Sequence, residues 1–145
     1  MYVMTAVGFD GTAVGSTLTW ISQCSFHPPL IMIAIQKTSQ MHEAVEASGG
    51  LAVNLLGEGQ REIAKAFFRA PAADAGRFGD HRYEPGPLTG APLLTDVPAW
   101  LEARVTDKVE RGDHTVFVGE VVAAGVRDAA VEPLLLSDTP WNYGG

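Results

Sequence analysis

The chain reads as a mainly β domain, a barrel or sandwich with a few helices set between its strands. Three observations predict this. Strand-like segments outnumber helix-like ones, and the helices do not alternate regularly with strands as a parallel βαβ sheet would require. Two long segments near residues 100–124 also face each other across a turn, the first alternating polar and apolar residues. The 145 residues suit a single domain over 1–145, with no internal repeat and no boundary that marks a second.

Val14 to Ser25 is rich in β-branched and hydroxyl residues, has Gly15 and Pro28 near its ends, and predicts one strand. Leu30 to Ile35 is an unbroken apolar run between Pro28-Pro29 and Gln36-Lys37, which fits a strand buried on both faces. Leu51 to Leu56, with Asn54 inside it, is similar. A helix falls between these two runs: Thr38 or Ser39 can cap it, Met41, Ala44, Val45 and Ser48 share a face, and Gly49-Gly50 stops it. A second helix over Gln60 to Phe68 places Ile63, Ala64 and Phe67 on one side. Arg69 to Pro98 contains Pro71, Pro85, Pro87, Pro92 and Pro98, and no element is predicted there; loops of that length are commonly functional.

Trp100 to Glu110 sets Leu101, Ala103, Val105 and Val109 on one face and Glu102, Arg104, Thr106 and Lys108 on the other, a half-buried antiparallel strand. Arg111-Gly112-Asp113 has turn chemistry, and His114 to Ala124 returns as its partner. Leu134 to Leu136 predicts a short last strand.

Composition narrows the function. Hydrophobic residues make up 46% and charged residues 19%, a globular balance. The net charge of −7 leaves no basic stripe to neutralise phosphates, which argues against a nucleic-acid partner. Cys24 is the only cysteine, so neither an intrachain disulfide nor a cysteine metal cluster can form, in keeping with a reducing cytoplasm. The opening Met1-Tyr2-Val3-Met4-Thr5 lacks a basic segment followed by an apolar one, so no signal peptide is expected. The apolar runs fall far short of the roughly 20 residues a membrane span requires, and a soluble cytoplasmic protein is expected.

Several chemistries lack their motifs. There is no GxGxxG after a strand, no GxxxxGK[ST], and no GxSxG. His42-Glu43 lacks the second histidine of HExxH, and His27, His42, His81 and His114 show no ligand spacing, so no metal is expected. The carboxylates are scattered. An enzyme built this way would borrow its reactive groups from a cofactor.

Three local features could serve one. Thr17, Thr19, Ile21, Gln23 and Ser25 share a face at period two; this ladder could hydrogen-bond a polar ligand or be an ordinary solvent-facing surface. Gln36-Lys37-Thr38-Ser39 leads into a helix with two hydroxyls and an ammonium, either a phosphate cradle or a capped helix with a solvated lysine. His114 follows a turn at a strand mouth, where it could contact a ligand or simply be half exposed.

Taken in order, these segments resemble the flavin reductase-like family. Gly15 to Leu30, G-S-T-L-T-W-I-S-Q-C-S-F-H-P-P-L, is similar to its G-M-T-x-S-S-x-x-S-x-S-x-x-P-P-L signature, and Lys37 to His42, K-T-S-Q-M-H, to its R-S-S-x-T-H. L-A-V-N-L-L (Leu51 to Leu56) and E-x-Q-x-x-x-A-x-x-F (Glu58 to Phe67) follow, then R-F-G (Arg77 to Gly79) and G-A-P-L-L (Gly90 to Leu94). A-W-L-E-A-R-V (Ala99 to Val105), G-D-H-T-V-F-V-G-E-V (Gly112 to Val121) and Y-G-G (Tyr143 to Gly145) complete the set, which covers nearly the whole chain.

The resemblance implies a six-stranded antiparallel Greek-key split β-barrel with a few helices, forming a homodimer with flavin sites near its interface. It implies reduction of FMN or FAD by NADH or NADPH, with reduced flavin passed to a partner monooxygenase. Thr17, Leu18, Thr19, Trp20 and Gln23 would border the ribityl chain and isoalloxazine. Lys37, Thr38, Ser39 and His42 would hold the phosphate end, Arg77 and Phe78 would close the pocket, and His114 would sit by the nicotinamide as the catalytic residue. Trp20 departs from the pattern, standing where a small hydroxyl residue is usual; in this the chain is nearer to the flavin-reductase modules of diflavin and flavoredoxin-like proteins. A tryptophan gripping the ring would favour an FMN-retaining electron carrier with no NAD(P)H activity of its own. The remaining alternative is a flavin-free binding module.

Overall fold

The computed structural model describes residues 1–141, so the Tyr143-Gly144-Gly145 motif lies outside the described residues. The chain runs β1 (Tyr2–Val7), β2 (Ala13–Leu18), β3 (Ile21–Phe26), β4 (Pro29–Gln36), α1 (Gln40–Ser48), β5 (Gly50–Leu55) and α2 (Arg61–Ala66). The short strands β6 (Ala73–Asp74), β7 (Arg77–Phe78), β8 (His81–Pro85) and β9 (Pro92–Leu94) follow, then the long hairpin β10 (Ala99–Arg111) and β11 (His114–Val126).

Seven strands pair antiparallel in the order β2-β1-β5-β10-β11-β4-β3. Its two edge strands, β2 and β3, are consecutive in the chain and joined only by Thr19 and Trp20. Such a link spans on the order of 10 Å, so the sheet must roll until its edges meet. That closure makes the barrel. The Ala34 N–H donates to the Trp20 carbonyl at 3.1 Å, fixing the link against β4.

The single strand expected over Val14 to Ser25 is therefore two strands, and the count is seven rather than six. The break sits where the chain crosses the seam, so the shared face proposed for Thr17 through Ser25 does not exist as one surface. Leu30 to Ile35 needs a correction too. Ile31, Ile33 and Ile35 enter the core while Met32 is 43% exposed, so within one chain β4 is covered on one face only. Leu51 to Leu56 is buried on both faces as expected, because β5 lies between β1 and β10 and is overlaid by β9.

The stretch from Arg69 to Pro98 is structured: β6 to β9 form a small antiparallel meander laid over the barrel. Buried Asn54 fastens it, donating to the Val3 carbonyl at 3.1 Å and accepting from the Leu94 N–H at 2.8 Å. Glu102, placed by alternation on the polar face of β10, is fully buried. Leu101 and Ala103 face the core as alternation predicts, and the opposite face that carries Glu102 is covered by the turn between β8 and β9 instead of facing solvent. Leu134 to Leu136 is not a strand; Gly57 and Pro133 make one bridge, Leu134 is buried against the end of β5, and a 3₁₀ turn covers Leu136–Asp138.

Both helices form where periodicity places them. Ser39 caps α1 by accepting from the His42 N–H at 3.1 Å, and Gly49 ends it in the left-handed region at φ 63°. The second helix tightens into a 3₁₀ turn over Phe67–Arg69, and the Phe67 ring packs so closely on β2 that a Cβ on Gly15 would lie 2.5 Å from it.

Candidate functional site

The seam crossing opens a recess of about 290 Å³ lined by Thr19, Trp20, Ile21 and Ser22 on one side and by Met32, Ile33, Ala34 and Val116 on the other. It is mostly apolar, with Thr19 and Ser22 as its hydroxyl-bearing residues. Thr19 Oγ1 is buried and has no hydrogen-bond partner in the structure. An orphaned buried hydroxyl costs about 1–3 kcal/mol, and the residue that carries it is one of those lining the recess.

His114 opens β11 beside this recess, its ring centroid 5.0 Å from that of Trp20. The hairpin turn before it is tight: Arg111 pairs with His114, and Gly112 takes φ 66°. His114 Nδ1 lies 2.9 Å from the Asp113 carboxylate, and this hydrogen bond holds the Asp113 carboxyl below its usual range. An ionised carboxylate only accepts, so Nδ1 carries the proton and Nε2 is left for another contact.

The remaining predicted residues divide into groups. Thr17 donates to the Ala64 carbonyl at 2.6 Å, tying β2 to α2, and the Leu18 side chain is buried in the core. The Lys37 ammonium reaches the Gly112 carbonyl at 3.0 Å, which sets it beside the His114 turn rather than over the helix start. Ser39 is engaged twice, by its cap and by donating to the Gln36 carbonyl at 2.7 Å, while Thr38 is exposed. His42 Nε2 lies 2.8 Å from Thr115 Oγ1, with its ring against Phe117. Gln23 is exposed further along edge strand β3, its amide 3.4 Å from the Ser25 carbonyl.

Arg77 and Phe78 sit in the meander. The guanidinium donates to the Gly79 and Asp80 carbonyls of its own turn, and the Phe78 ring is buried edge-on against Phe67. The structure thus gathers Thr19, Trp20, His114 and Lys37 at the seam and its neighbouring turn, and spends Leu18, Thr17 and Phe78 on packing or internal bonds. A second cavity, about 450 Å³, lies around Ser16, Gln36, Ser39, Gln40 and Arg69. Sequence reasoning gave no ligand role to Ser16 or Arg69. For Arg69 a signal existed, since it directly follows the Glu58 to Phe67 helix motif at Phe68-Arg69.

No group of three or more histidine, cysteine, aspartate or glutamate side chains among the described residues is placed to hold a metal ion. No helix among them is long and apolar enough to cross a membrane.

The sequence matches the profile of the flavin reductase like domain over residues 1–142. It is 40% identical over 134 residues to a flavin reductase (NADH) of Kitasatospora aureofaciens, covering 92% of this chain and 69% of that protein. It is 36% identical over 133 residues to an NADH:riboflavin 5'-phosphate oxidoreductase of Streptomyces pristinaespiralis, covering 92% and 74%. Among solved structures, the NADH:FAD oxidoreductase SgcE6 of Streptomyces globisporus superposes with a TM-score of 0.80 at 32% identity, over 91% of this chain and 77% of that one.

Proposed function

The chain belongs to the flavin reductase-like family, and from that premise we propose that it is an NADH-dependent flavin oxidoreductase with its flavin ring at the barrel seam. The observation that carries the placement is Thr19, a residue lining a mostly apolar recess whose hydroxyl is buried without a partner. A flat heteroaromatic ring with polar edges supplies the apolar faces that Ile21 and Val116 suit, and the hydrogen-bonding edge that Thr19 lacks.

Bound flavin, FMN or FAD, supplies the redox chemistry by accepting a hydride from NADH. The chain's own residues bind and orient. Thr19 would hydrogen-bond a polar edge of the ring, and Trp20 would flank it. His114, steered by Asp113, would turn Nε2 toward the nicotinamide and fix its approach, a positional contribution rather than strong acid or base chemistry. Purified protein given FMN and NADH should oxidise NADH well above the uncatalysed background. Absence of that excess rejects the assignment.

The protein is further read as a homodimer. Leu30, Met32 and Ala34 on β4 and Val116 and Val118 on β11 alternate with core-facing residues and form an apolar outer surface beside the recess. A second copy laid on this face would cover Met32 and narrow the mouth of the flavin recess. Met32→Glu should then yield a monomer by sedimentation and weaken FMN binding in parallel, since a charge left in an apolar interface costs several kcal/mol. A wild-type protein that sediments as a monomer at all concentrations would discard the dimer. Delivery of reduced flavin to a partner monooxygenase and a cytoplasmic location complete the reading. NADH as reductant and the unpaired Cys24 thiol suit a reducing compartment.

A further inference from the structure

We propose that Arg69 is the residue that recognises the phosphate monoester of FMN, a role the sequence pattern gives to Lys37. The inference rests on the flavin assignment above and sharpens it. The cavity of about 450 Å³ beyond the recess brings Arg69 together with Ser16, Gln36 and Gln40. Among the described residues none of these four side chains makes a hydrogen bond or an ion pair. Lys37, by contrast, already gives its ammonium to the Gly112 carbonyl. The Ser39 hydroxyl is likewise engaged, accepting from the His42 N–H and donating its one proton to the Gln36 carbonyl.

The backbone presents Arg69 in a fixed place. Phe67 is fully buried against β2, and Phe68 meets Trp141 edge-on with ring centroids 4.8 Å apart. Ala70 then takes φ 41°, a conformation rare outside glycine, which ends the 3₁₀ turn directly after Arg69. Spacing also fits one ligand lying across both cavities. Gln36 is two residues beyond Ala34 on β4, and Ser16 is three residues before Thr19. At about 3.3 Å per strand residue the separation is on the order of 7–10 Å, the reach of a five-carbon ribityl chain. Guanidinium and phosphate form paired, charge-assisted hydrogen bonds, and the serine hydroxyl and glutamine amides add neutral donors.

Fluorescence titration with FMN and with riboflavin tests this, because only FMN carries the phosphate. Wild type should bind FMN more tightly than riboflavin. Arg69→Ala should weaken FMN by on the order of tenfold or more while leaving riboflavin unchanged, and Arg69→Lys should keep part of the preference. Arg61→Ala, which removes the same charge from exposed α2, should leave the FMN-to-riboflavin ratio as it was. Equal weakening of both flavins by Arg69→Ala, no weakening of either, or the same effect from Arg61→Ala overturns the role of Arg69 while flavin binding stands. A wild type that binds neither flavin overturns the flavin assignment itself.

Discussion

Glu102→Ala is expected to cost about 3 kcal/mol of stability, lowering the melting temperature by on the order of 6–12 °C. The Glu102 carboxylate is fully buried and accepts from the Leu88 N–H, the Thr89 N–H and the Thr89 hydroxyl, the last two at 2.7 Å. Removing it leaves two backbone donors without a partner and opens a cavity under the turn that joins β8 to β9. Gly86 is part of the same arrangement, for a Cβ there would lie 2.2 Å from Glu102 Oε1. Gly86→Ala should therefore be severe in the wild type and much milder beside Glu102→Ala. A double-mutant cycle in denaturant reads that coupling. Glu102→Ala melting within about 2 °C of wild type would show that the turn is held by something else.

Thr19→Val should act in opposite directions on stability and on binding. The flavin-free protein should gain about 1 kcal/mol, because valine fills a similar volume and removes a buried hydroxyl that no protein group satisfies. Affinity for FMN should fall by on the order of tenfold through loss of the hydrogen bond to the ring edge. The pair of measurements separates a ligand contact from a packing residue, which would lose stability and binding together. If Thr19→Val leaves the FMN dissociation constant unchanged, the ring does not use this hydroxyl.

Much of this architecture was legible in the residues, and the failures have physical causes. The N-cap at Ser39, the stop at Gly49 and the Gly112 turn are local signals, and they appear where local chemistry puts them. The break at Thr19–Trp20 is invisible locally, because Thr, Trp and Ile all favour strands; only rolling the sheet demands it. Alternation sets Glu102 correctly on the face of β10 opposite Leu101 and Ala103, but it cannot show that this face is covered, because the covering residues Leu88 and Thr89 lie on a turn distant in the chain. The meander of β6 to β9 consists of strands two to five residues long, too short to show a period. At the candidate site, Thr19, Trp20 and His114 were visible as a set only through motif order. Nothing local shows that the Lys37 ammonium bonds the Gly112 carbonyl of a hairpin turn 75 residues away.

The strand order has a consequence for how the chain comes off the ribosome. Strands β1, β2 and β5 can pair as soon as residue 55 has emerged, and β3 with β4 earlier still. These two partial sheets share no ladder until β10 and β11 slot between β5 and β4, so the facing edges of β5 and β4 stay unpaired through synthesis of residues 56–98. Open edges invite pairing with another nascent chain. Translation that stalls before the last hairpin should leave an aggregation-prone intermediate, and holdase chaperones would find their substrate in that interval.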